Sequence, residues 1–339
     1  MDTNLNPVVT VLVAAFNAEN YISETIQSVL SQTFKNFELL IVDDGSTDST
    51  HVRILEFSDD RIHVLRNKKN EGLISSLNRG ILHSKAKYIA RLDADDIAFP
   101  TRLEKQVAFM EANLEVGLCG TFAEVFGAET GIMKVPTEHD EISAELCILN
   151  RFIHPSVIMR RSVLSQHRLL YRLPFAEDYD LWCRMSLVTQ VRNIPEVLVR
   201  YRKHEEQVTN RSFLKVQEAT DKVIISHLNT LFAGILNTNE LKLLLTIIHV
   251  AAVPQYAIIL GVVDKLNLHN DNRGTHDKVS LLKVLEKKII LHQMRATKKY
   301  RFNDFILIVR AHFRLLYEIL GYRYGTKLLF CTLIAKRRK

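Results

Sequence analysis

Two apolar runs near the N-terminus, separated by a helical pattern, constrain the fold of this chain more than any other feature. Residues 8–13 and 37–42 read VVTVLV and FELLIV. Nearly continuous apolar runs rich in β-branched residues are typical of strands that are buried on both faces of a sheet. Between them, apolar residues recur at helical spacing from Ile22 to Leu30. A strand, a helix and a second buried strand in this order predict a parallel pair joined by a crossover helix.

The same alternation continues along the first hundred residues. The pattern predicts helices at 51–57 and 73–82 and strands at 62–65 and 88–92. We therefore expect an α/β fold with a mostly parallel sheet flanked by helices. From residue 116 to about 201 the pattern is mixed, with strand-like segments at 156–159 and 198–201 around a helix at 178–187. After about Arg211 the chain reads as helix almost throughout.

Carboxylates stand at the ends of two of these predicted strands. Asp43-Asp44 follows the second strand, and Asp93-Ala94-Asp95 follows the strand at 88–92. In an extended segment the side chains of residues i and i+2 point to the same side, so Asp93 and Asp95 can converge on one hard cation. The carboxyl ends of parallel strands also border the ligand crevice of such sheets. The alternatives are an ordinary Asp-Gly turn at Asp44-Gly45 and a solvated turn that leads to Pro100.

Charge and cysteine content narrow the classes of partner. The formal net charge is +7, and residues 298–339 carry eleven lysines and arginines against two acidic residues. A basic helical end fits an anionic membrane surface, or an ordinary helix that packs on the rest of the chain. A nucleic-acid protein would need a basic surface interleaved with aromatic residues, and we expect no nucleic-acid partner. The four cysteines show no CxxC spacing, and the N-terminal residues lack a secretory pattern, which together predict a cytoplasmic protein.

Six blocks of the sequence resemble those of family 2 glycosyltransferases, in the right order. The match runs from about Val8 to His204 and does not include the last third. Its blocks are Val9 to Asn17 with Ser31-Gln32-Thr33-Phe34, Ile41 to Asp48, Asn70-Glu71-Gly72, Arg91 to Asp96 with Pro100 and Arg102-Leu103 behind it, His154-Pro155-Ser156, and Glu177 to Trp182. The resemblance implies a GT-A fold, a nucleotide-sugar donor, most simply a UDP-sugar, and inversion at the anomeric carbon.

The resemblance also implies roles for residues on the donor side. Asp44 matches the residue that contacts uracil, with Phe16 and Asn17 beside the base and Asn70 in the same donor site. Asp93 and Asp95 match the DxD motif, in which the last Asp binds Mn²⁺ or Mg²⁺ and the first lies near the ribose and the metal. Arg91 could add a positive charge nearby, or form only a structural ion pair. His204 ends a segment similar to a Tyr-Arg-x-His stretch and is a candidate ligand beside the metal.

On the acceptor side, Asp178 matches the Asp of the family's ED motif. An inverting transfer needs a base that takes the proton of the acceptor hydroxyl, and a carboxylate held at the mouth of a helix suits this role. The alternatives are that Asp178 only caps the helix and that Asp180 is the base. His154 could lie near the acceptor or brace a turn.

These features together predict a metal-dependent hexosyl- or N-acetylhexosaminyltransferase. We expect a catalytic domain at 1–210, with a nucleotide-sugar half at 1–100 and an acceptor half at 101–210, and a helical basic region at 211–339. The expected acceptor is a glycan or lipid-linked glycan of a cell-surface polysaccharide such as O-antigen or capsule. The basic helices would touch the inner face of the cytoplasmic membrane, while residues 243–263 favour a buried helix or hairpin over a span. A metal-dependent nucleotidyltransferase and a non-catalytic scaffold of a glycan-assembly complex are the alternative functions.

Overall fold

The structure, a computed structural model, describes residues 6–204 and 212–231. The strands are β1 Val9–Ala15, β2 Phe37–Asp43, β3 Ile62–Arg66, β4 Tyr88–Arg91, β5 Ile97–Ala98, β6 Val116–Gly127, β7 Gly131–Met133, β8 Ile158–Arg160 and β9 Gln190–Lys203. The helices are α1 Ile22–Leu30, α2 Thr50–Leu55, α3 Leu73–His83, α4 Arg102–Ala112, α5 His139–Glu145, α6 Arg161–Gln166, α7 Glu177–Ser186 and α8 Phe213–Leu231.

The strands form one mixed sheet in the order β3-β2-β1-β4-β8-β6-β9-β5, with β7 paired to β6. The pairs β1–β2, β1–β4 and β2–β3 are parallel, as the βαβ pattern predicts. Strands β6 and β9 are also parallel, whereas β8 runs antiparallel to both β4 and β6. The fold class predicted from the sequence, α/β with a mostly parallel nucleotide-binding half, is confirmed.

The core lies on both faces of the three parallel strands β1, β2 and β4. Every residue of β4 is buried, as are six of the seven residues in each of β1 and β2. Gly80 of α3 allows this helix to approach β1 closely, because a Cβ there would lie 2.2 Å from the Leu12 side chain. The buried hydroxyl of Thr10 is within hydrogen-bond distance of Ser84, at 2.6 Å. The parallel part of the sheet is therefore closely packed against α3.

Several element bounds differ from the sequence predictions. The strand predicted at 156–159 begins at Ile158, because His154–Ser156 forms a 3₁₀ turn with Pro155 in its first positions. The segment predicted at 198–201 is the end of the much longer β9. The helix predicted at 178–187 begins one residue earlier, at Glu177. The two-residue strand β5 had no signal in the sequence that would distinguish it from a turn.

The chain divides into two units, Met1–Val223 and Ile224–Lys339, and of the second the structure describes only the residues up to Leu231. No helix among residues 6–204 and 212–231 is long and apolar enough to cross a bilayer. The predictions for residues 243–263, for the basic end at 298–339 and for its contact with a membrane lie outside the described residues. The predicted domain boundary near residue 210 stays a prediction.

Candidate active site

The strand ends bring three loops together at one edge of the sheet. Ala15 pairs with Asp43 and Leu12 with Arg91, so the loops after β1, β2 and β4 leave the sheet side by side. The amide of Asp44 donates to the carbonyl of Ala15, at 2.8 Å, which joins the first two loops. Five of the residues predicted for donor and metal binding therefore come from neighbouring loops at one edge: Phe16, Asn17, Asp44, Asp93 and Asp95.

Asp44 is buried and holds the loop that contains Asn70. Its Oδ1 accepts hydrogen bonds from Asn67 Nδ2 at 2.6 Å and from the Glu71 amide at 2.9 Å, and its Oδ2 accepts from the Gly72 amide at 2.9 Å. A carboxylate oxygen can accept two hydrogen bonds, so Oδ2 keeps capacity for one more partner. The geometry shows Asp44 as an anchor of this loop, and its contact with a base stays a prediction.

The loop after β1 is fastened to the turn after β2. Asn17, with φ of 50°, accepts a hydrogen bond from the Thr47 amide at 3.0 Å through Oδ1, and its own amide donates to Ser46 Oγ at 3.1 Å. Gly45 in this turn has φ of 70°, and a Cβ there would lie 2.5 Å from the backbone of Lys69. Phe16 is 44% exposed. Its ring is therefore accessible on the surface of a loop held by these hydrogen bonds, where a base could stack on it.

Three carboxylates form a cluster after β4. Ligand atoms of Asp93, Asp95 and Asp96 all lie within 4.8 Å of one another. Burial, and then the charge of Asp93, raises the pKa of Asp95, and burial with the charges of both neighbours raises the pKa of Asp96 well above its usual range. Within the described residues the buried Oδ2 of Asp96 has no hydrogen-bond partner. A cluster of hard oxygen ligands with an orphaned buried oxygen fits a divalent cation, which would neutralise it.

The end of β9 borders this cluster. The Arg202 amide donates to Asp96 Oδ1 at 2.7 Å, and its guanidinium, which lies over the rings of Tyr21 and Phe126, donates to the Asp95 carbonyl at 2.8 Å. His204 Nε2 lies 2.9 Å from Asp95 Oδ2, and its ring stacks on Tyr21. His204 is thus beside the metal candidate Asp95. Asp96 and Arg202, to which the sequence analysis assigned no role, complete this side of the site.

Asp178 lies on the first turn of α7 and does not cap it. The N-cap residue is Ala176, and no side chain caps the helix. Asp178 Oδ1 accepts a hydrogen bond from the Tyr179 amide at 2.7 Å, and Oδ2 accepts one from Asn150 Nδ2 at 2.8 Å. Burial raises the pKa of its carboxyl, while these two donors and the charge of Arg91 lower it. A half-buried carboxylate with a raised pKa has the properties of a general base.

The other candidates on this side have structural contacts. Asp180 is buried in ion pairs with Arg172 at 3.0 Å and Arg184 at 2.6 Å, which leaves it poorly placed to take a proton. His154 Nε2 lies 3.1 Å from the Tyr171 hydroxyl, and its ring meets Trp182 edge-on. Burial lowers the pKa of His154 well below its usual range. His154 is therefore a neutral residue in an aromatic cluster.

Arg91 connects the two sides of the site. Its guanidinium is 1% exposed and forms an ion pair with Asp93 through Nη2. Its positive charge also lowers the pKa of Asp178 and of Glu177. No described residue accepts a hydrogen bond from its Nε or Nη1. The sequence left open whether Arg91 is a structural ion pair or a charge in the site; the structure shows the ion pair with Asp93, and a role in donor binding stays a prediction.

Glu177 is a titratable group whose properties the sequence did not indicate. Burial, and then the charge of Asp178, raises its pKa to about 7. Because its pKa in the unfolded chain is near 4.5, the folded state favours the protonated form, and stability falls as the pH rises from about 4.5 to about 7. We expect Glu177→Gln to match the wild type in stability near pH 4.5 and to exceed it above pH 7, by about 1–3 kcal/mol. Thermal unfolding of both proteins between pH 4.5 and 8 measures this difference.

Glu111→Gln is the matched control for that measurement. The hydrogen bond from Lys87 lowers the pKa of Glu111, so its replacement should cost stability at neutral pH rather than add it. If the stability of Glu177→Gln followed that of the wild type across the whole pH range, the ionised carboxylate of Glu177 would not destabilise the folded protein.

Comparison with known proteins gives one consistent result. The model of the family described as glycosyl transferase family 2 matches residues 10–168. An uncharacterised glycosyltransferase of Haemophilus influenzae is 37% identical over 257 residues, which cover 70% of this chain and 80% of that protein. The Escherichia coli protein WfgD, described as a UDP-Glc:alpha-D-GlcNAc-diphosphoundecaprenol beta-1,3-glucosyltransferase, is 29% identical over 63% of this chain and 84% of its own length.

Two solved structures share the fold. TarS 1–349 of S. aureus in complex with UDP-GlcNAc superposes with a TM-score of 0.57 at 17% identity, over 98% of this chain and 92% of that one. The mannosyltransferase PcManGT from Pyrobaculum calidifontis, in complex with GDP-Man and Mn²⁺, gives a TM-score of 0.50 at 16% identity, over 99% of this chain and 87% of that one. At these identities the likeness establishes the GT-A fold alone.

Proposed function

The chain belongs to glycosyl transferase family 2, and from this premise we propose that it transfers a sugar, with inversion, from a UDP-sugar to a hydroxyl of a glycan or lipid-linked acceptor. The observation that carries this proposal is the position of Arg91. This buried arginine contacts Asp93 of the acidic cluster, and its charge acts on Asp178. The cluster and the candidate base therefore flank one site, as a transfer between two bound substrates requires.

On the donor side, Asp95, Asp93 and His204 would hold Mn²⁺ or Mg²⁺, with Asp96 behind them. A cation bound there neutralises the charge that develops on the departing diphosphate. Arg91 holds Asp93 in place through their ion pair and adds a permanent positive charge. Phe16, Asn17 and the loop anchored by Asp44 would receive the nucleoside.

On the acceptor side, Asp178 performs the proton transfer. The acceptor oxygen forms a bond to the anomeric carbon from the face opposite the diphosphate, and the bond between that carbon and the phosphate oxygen breaks. The electron pair leaves with the diphosphate, and the hydroxyl proton passes to Asp178. Attack from the opposite face inverts the anomeric configuration. A base in a partly desolvated position contributes about 10²–10⁴-fold to such a step.

The choice of substrates rests on the related proteins. The name of the Escherichia coli protein gives a UDP-sugar as donor and a sugar on a diphosphate-linked lipid as acceptor. The S. aureus protein was likewise crystallised with a UDP-sugar, UDP-GlcNAc. We propose donor and acceptor of the same chemical classes for this chain, and a place in the synthesis of a cell-surface polysaccharide.

A panel of nucleotides and nucleotide sugars tests this function by thermal unfolding. Ligand at about 100 times its Kd stabilises the native state by about 2.7 kcal/mol, which raises Tm by several degrees. We expect this rise for a UDP-sugar with Mn²⁺ and a smaller one with EDTA. The stabilising donor should then be consumed with diphosphate-lipid-linked GlcNAc as acceptor and not with free GlcNAc. No stabilisation by any uridine nucleotide would contradict the proposed donor.

A further inference from the structure

Asn150 has a side chain that the proposed mechanism does not yet use, and it touches the candidate base. It follows α5 along the chain, 28 residues before Asp178. Its Nδ2 donates to Asp178 Oδ2 at 2.8 Å, and its Oδ1 accepts from the Phe152 amide at 3.1 Å. An amide nitrogen cannot accept from a backbone N–H, so the Phe152 amide determines which end of the Asn150 side chain faces the carboxylate. The Asn150 NH2 group, and not its oxygen, therefore faces Asp178.

We propose that Asn150 is a positioning residue that orients the Asp178 carboxylate and favours its ionised form. This inference rests on the proposed function, in which Asp178 is the base. A hydrogen bond from a fixed amide stabilises the ionised carboxylate more than the neutral carboxyl, because the neutral form is a weaker acceptor. Asn150 would thus keep the base ready for the proton of the acceptor hydroxyl.

The two hydrogen bonds to Asp178 also fix the rotation of its carboxyl group. One donor, the Tyr179 amide, meets Oδ1, and the other, Asn150, meets Oδ2. Since each carboxylate oxygen can accept two hydrogen bonds, one position remains on each oxygen. With only one of the two donors the group could turn about its bond to the Cβ. A base must be held within hydrogen-bond reach of the proton it takes, so this restraint bears directly on the rate.

Few groups around Asp178 favour its ionised form, and Asn150 is one of them. Burial raises the pKa of Asp178, and Asn150 is the one described side chain that donates a hydrogen bond to it. Arg91 contributes a favourable charge from β4, whereas Glu177 is an acidic neighbour on α7. Other titratable groups that feel the charge of Asp178 are Tyr171, Tyr179 and Cys183. None of these three carries a charge at neutral pH in its ordinary form.

The segment that carries Asn150 is itself restrained from two sides. Arg151 forms an ion pair with Glu145 at the end of α5. The carbonyl of Arg151 accepts a hydrogen bond from Asn193 Nδ2 of β9, at 3.3 Å, and the same amide group donates to the Pro136 carbonyl at 2.7 Å. A positioning side chain acts precisely only when its own backbone is held, and these contacts hold it.

The test is the pH dependence of the transfer rate at saturating donor and acceptor. Loss of the donated hydrogen bond raises the pKa of Asp178, so the acid limb of the profile should move to higher pH by about one to two units in Asn150→Ala. The near-isosteric Asn150→Asp should move it further, because it adds a negative charge in place of the donor. An acid limb that stays at the wild-type pH in both variants would overturn the proposal.

Asn78→Ala is the matched control, and Asp178→Asn separates the role of Asn150 from that of the base. Asn78 holds the backbone of Tyr171 through two hydrogen bonds, at 2.8 and 2.9 Å, and among the described residues it forms no hydrogen bond with Asp178. We expect its loss to lower Tm and leave the acid limb in place. An equal shift of the acid limb in Asn78→Ala would mean that loosening the loop suffices, and the proposal would be wrong.

The Asp178→Asn variant tests the base itself. If Asp178→Asn kept the wild-type rate, Asp178 would not be the base. If Asp178→Asn were inactive while Asn150→Ala showed no shift of the acid limb, only the proposed role of Asn150 would be wrong.

Discussion

Replacement of Asp178 by Asn should lower the transfer rate by about 10²–10⁴-fold and leave the affinity for the donor nearly unchanged. The amide has the shape of the carboxylate, and its single oxygen can accept a hydrogen bond from either Asn150 or the Tyr179 amide, so the volume at this position is kept while one of the two hydrogen bonds is lost. It cannot take a proton from the acceptor. Initial rates at saturating donor give the first quantity, and titration with a non-hydrolysed donor analogue gives the second.

Asp180→Asn is the control for this experiment, on the same helix and with the same change of charge. Its carboxylate is committed to Arg172 and Arg184, so we expect a lower Tm and a rate close to that of the wild type. A metal-dependent nucleotidyltransferase would not need Asp178 at all. If Asp178→Asn transferred sugar at the wild-type rate, or lost donor affinity instead of rate, the residue would not be the base.

The parallel half of the fold could be predicted from the sequence because its signals are local. Strands β1 and β2 are continuous apolar runs, and the helix between them has its own apolar stripe. Pairing between distant segments has no such signal. Strands β6 and β9 pair in parallel although about 70 residues separate them, and neither periodicity nor turn chemistry encodes that register. For this reason the sequence pattern after residue 116 did not predict the pairing of these strands.

The candidate site shows the same division between local and non-local information. Asp93 and Asp95 stand two residues apart in the sequence, which suffices to predict that both bind one cation. Asn150 reaches Asp178 from a loop 28 residues away, and Arg202 reaches Asp96 from 106 residues away. A single asparagine in a loop has no local pattern that distinguishes it from a turn residue. The two acids Asp43 and Asp44 are equally ambiguous in sequence, and only the fold separates the ion-paired Asp43 from the loop anchor Asp44.

The acidic cluster yields the second large effect, a loss of activity in Asp95→Asn by about 10²–10⁴-fold. A bound cation supplies several kcal/mol of charge stabilisation to a departing diphosphate, and each 1.36 kcal/mol is a factor of ten in rate. The sequence motif predicts Asp95 as a ligand of this cation, and Asp95 lies in the cluster of three carboxylates whose oxygens could hold one. Activity measured against Mn²⁺ concentration, after treatment with EDTA, should return fully in the wild type. In the variant it should return only at much higher Mn²⁺, if at all.

The stability of the same variant should change in the opposite direction. Burial and the charge of Asp93 raise the pKa of Asp95 in the folded protein, so its ionised carboxylate costs stability at neutral pH when no cation is bound. Asp95→Asn should therefore raise the Tm of the metal-free protein and abolish the further rise that Mn²⁺ gives the wild type. Asp59→Asn, with the same change of charge at a part-exposed pair with Arg61, should show neither effect. A variant that lost activity together with metal-free stability would indicate a damaged fold, whereas lost activity with a gain in stability is the mark of a site built around a cation.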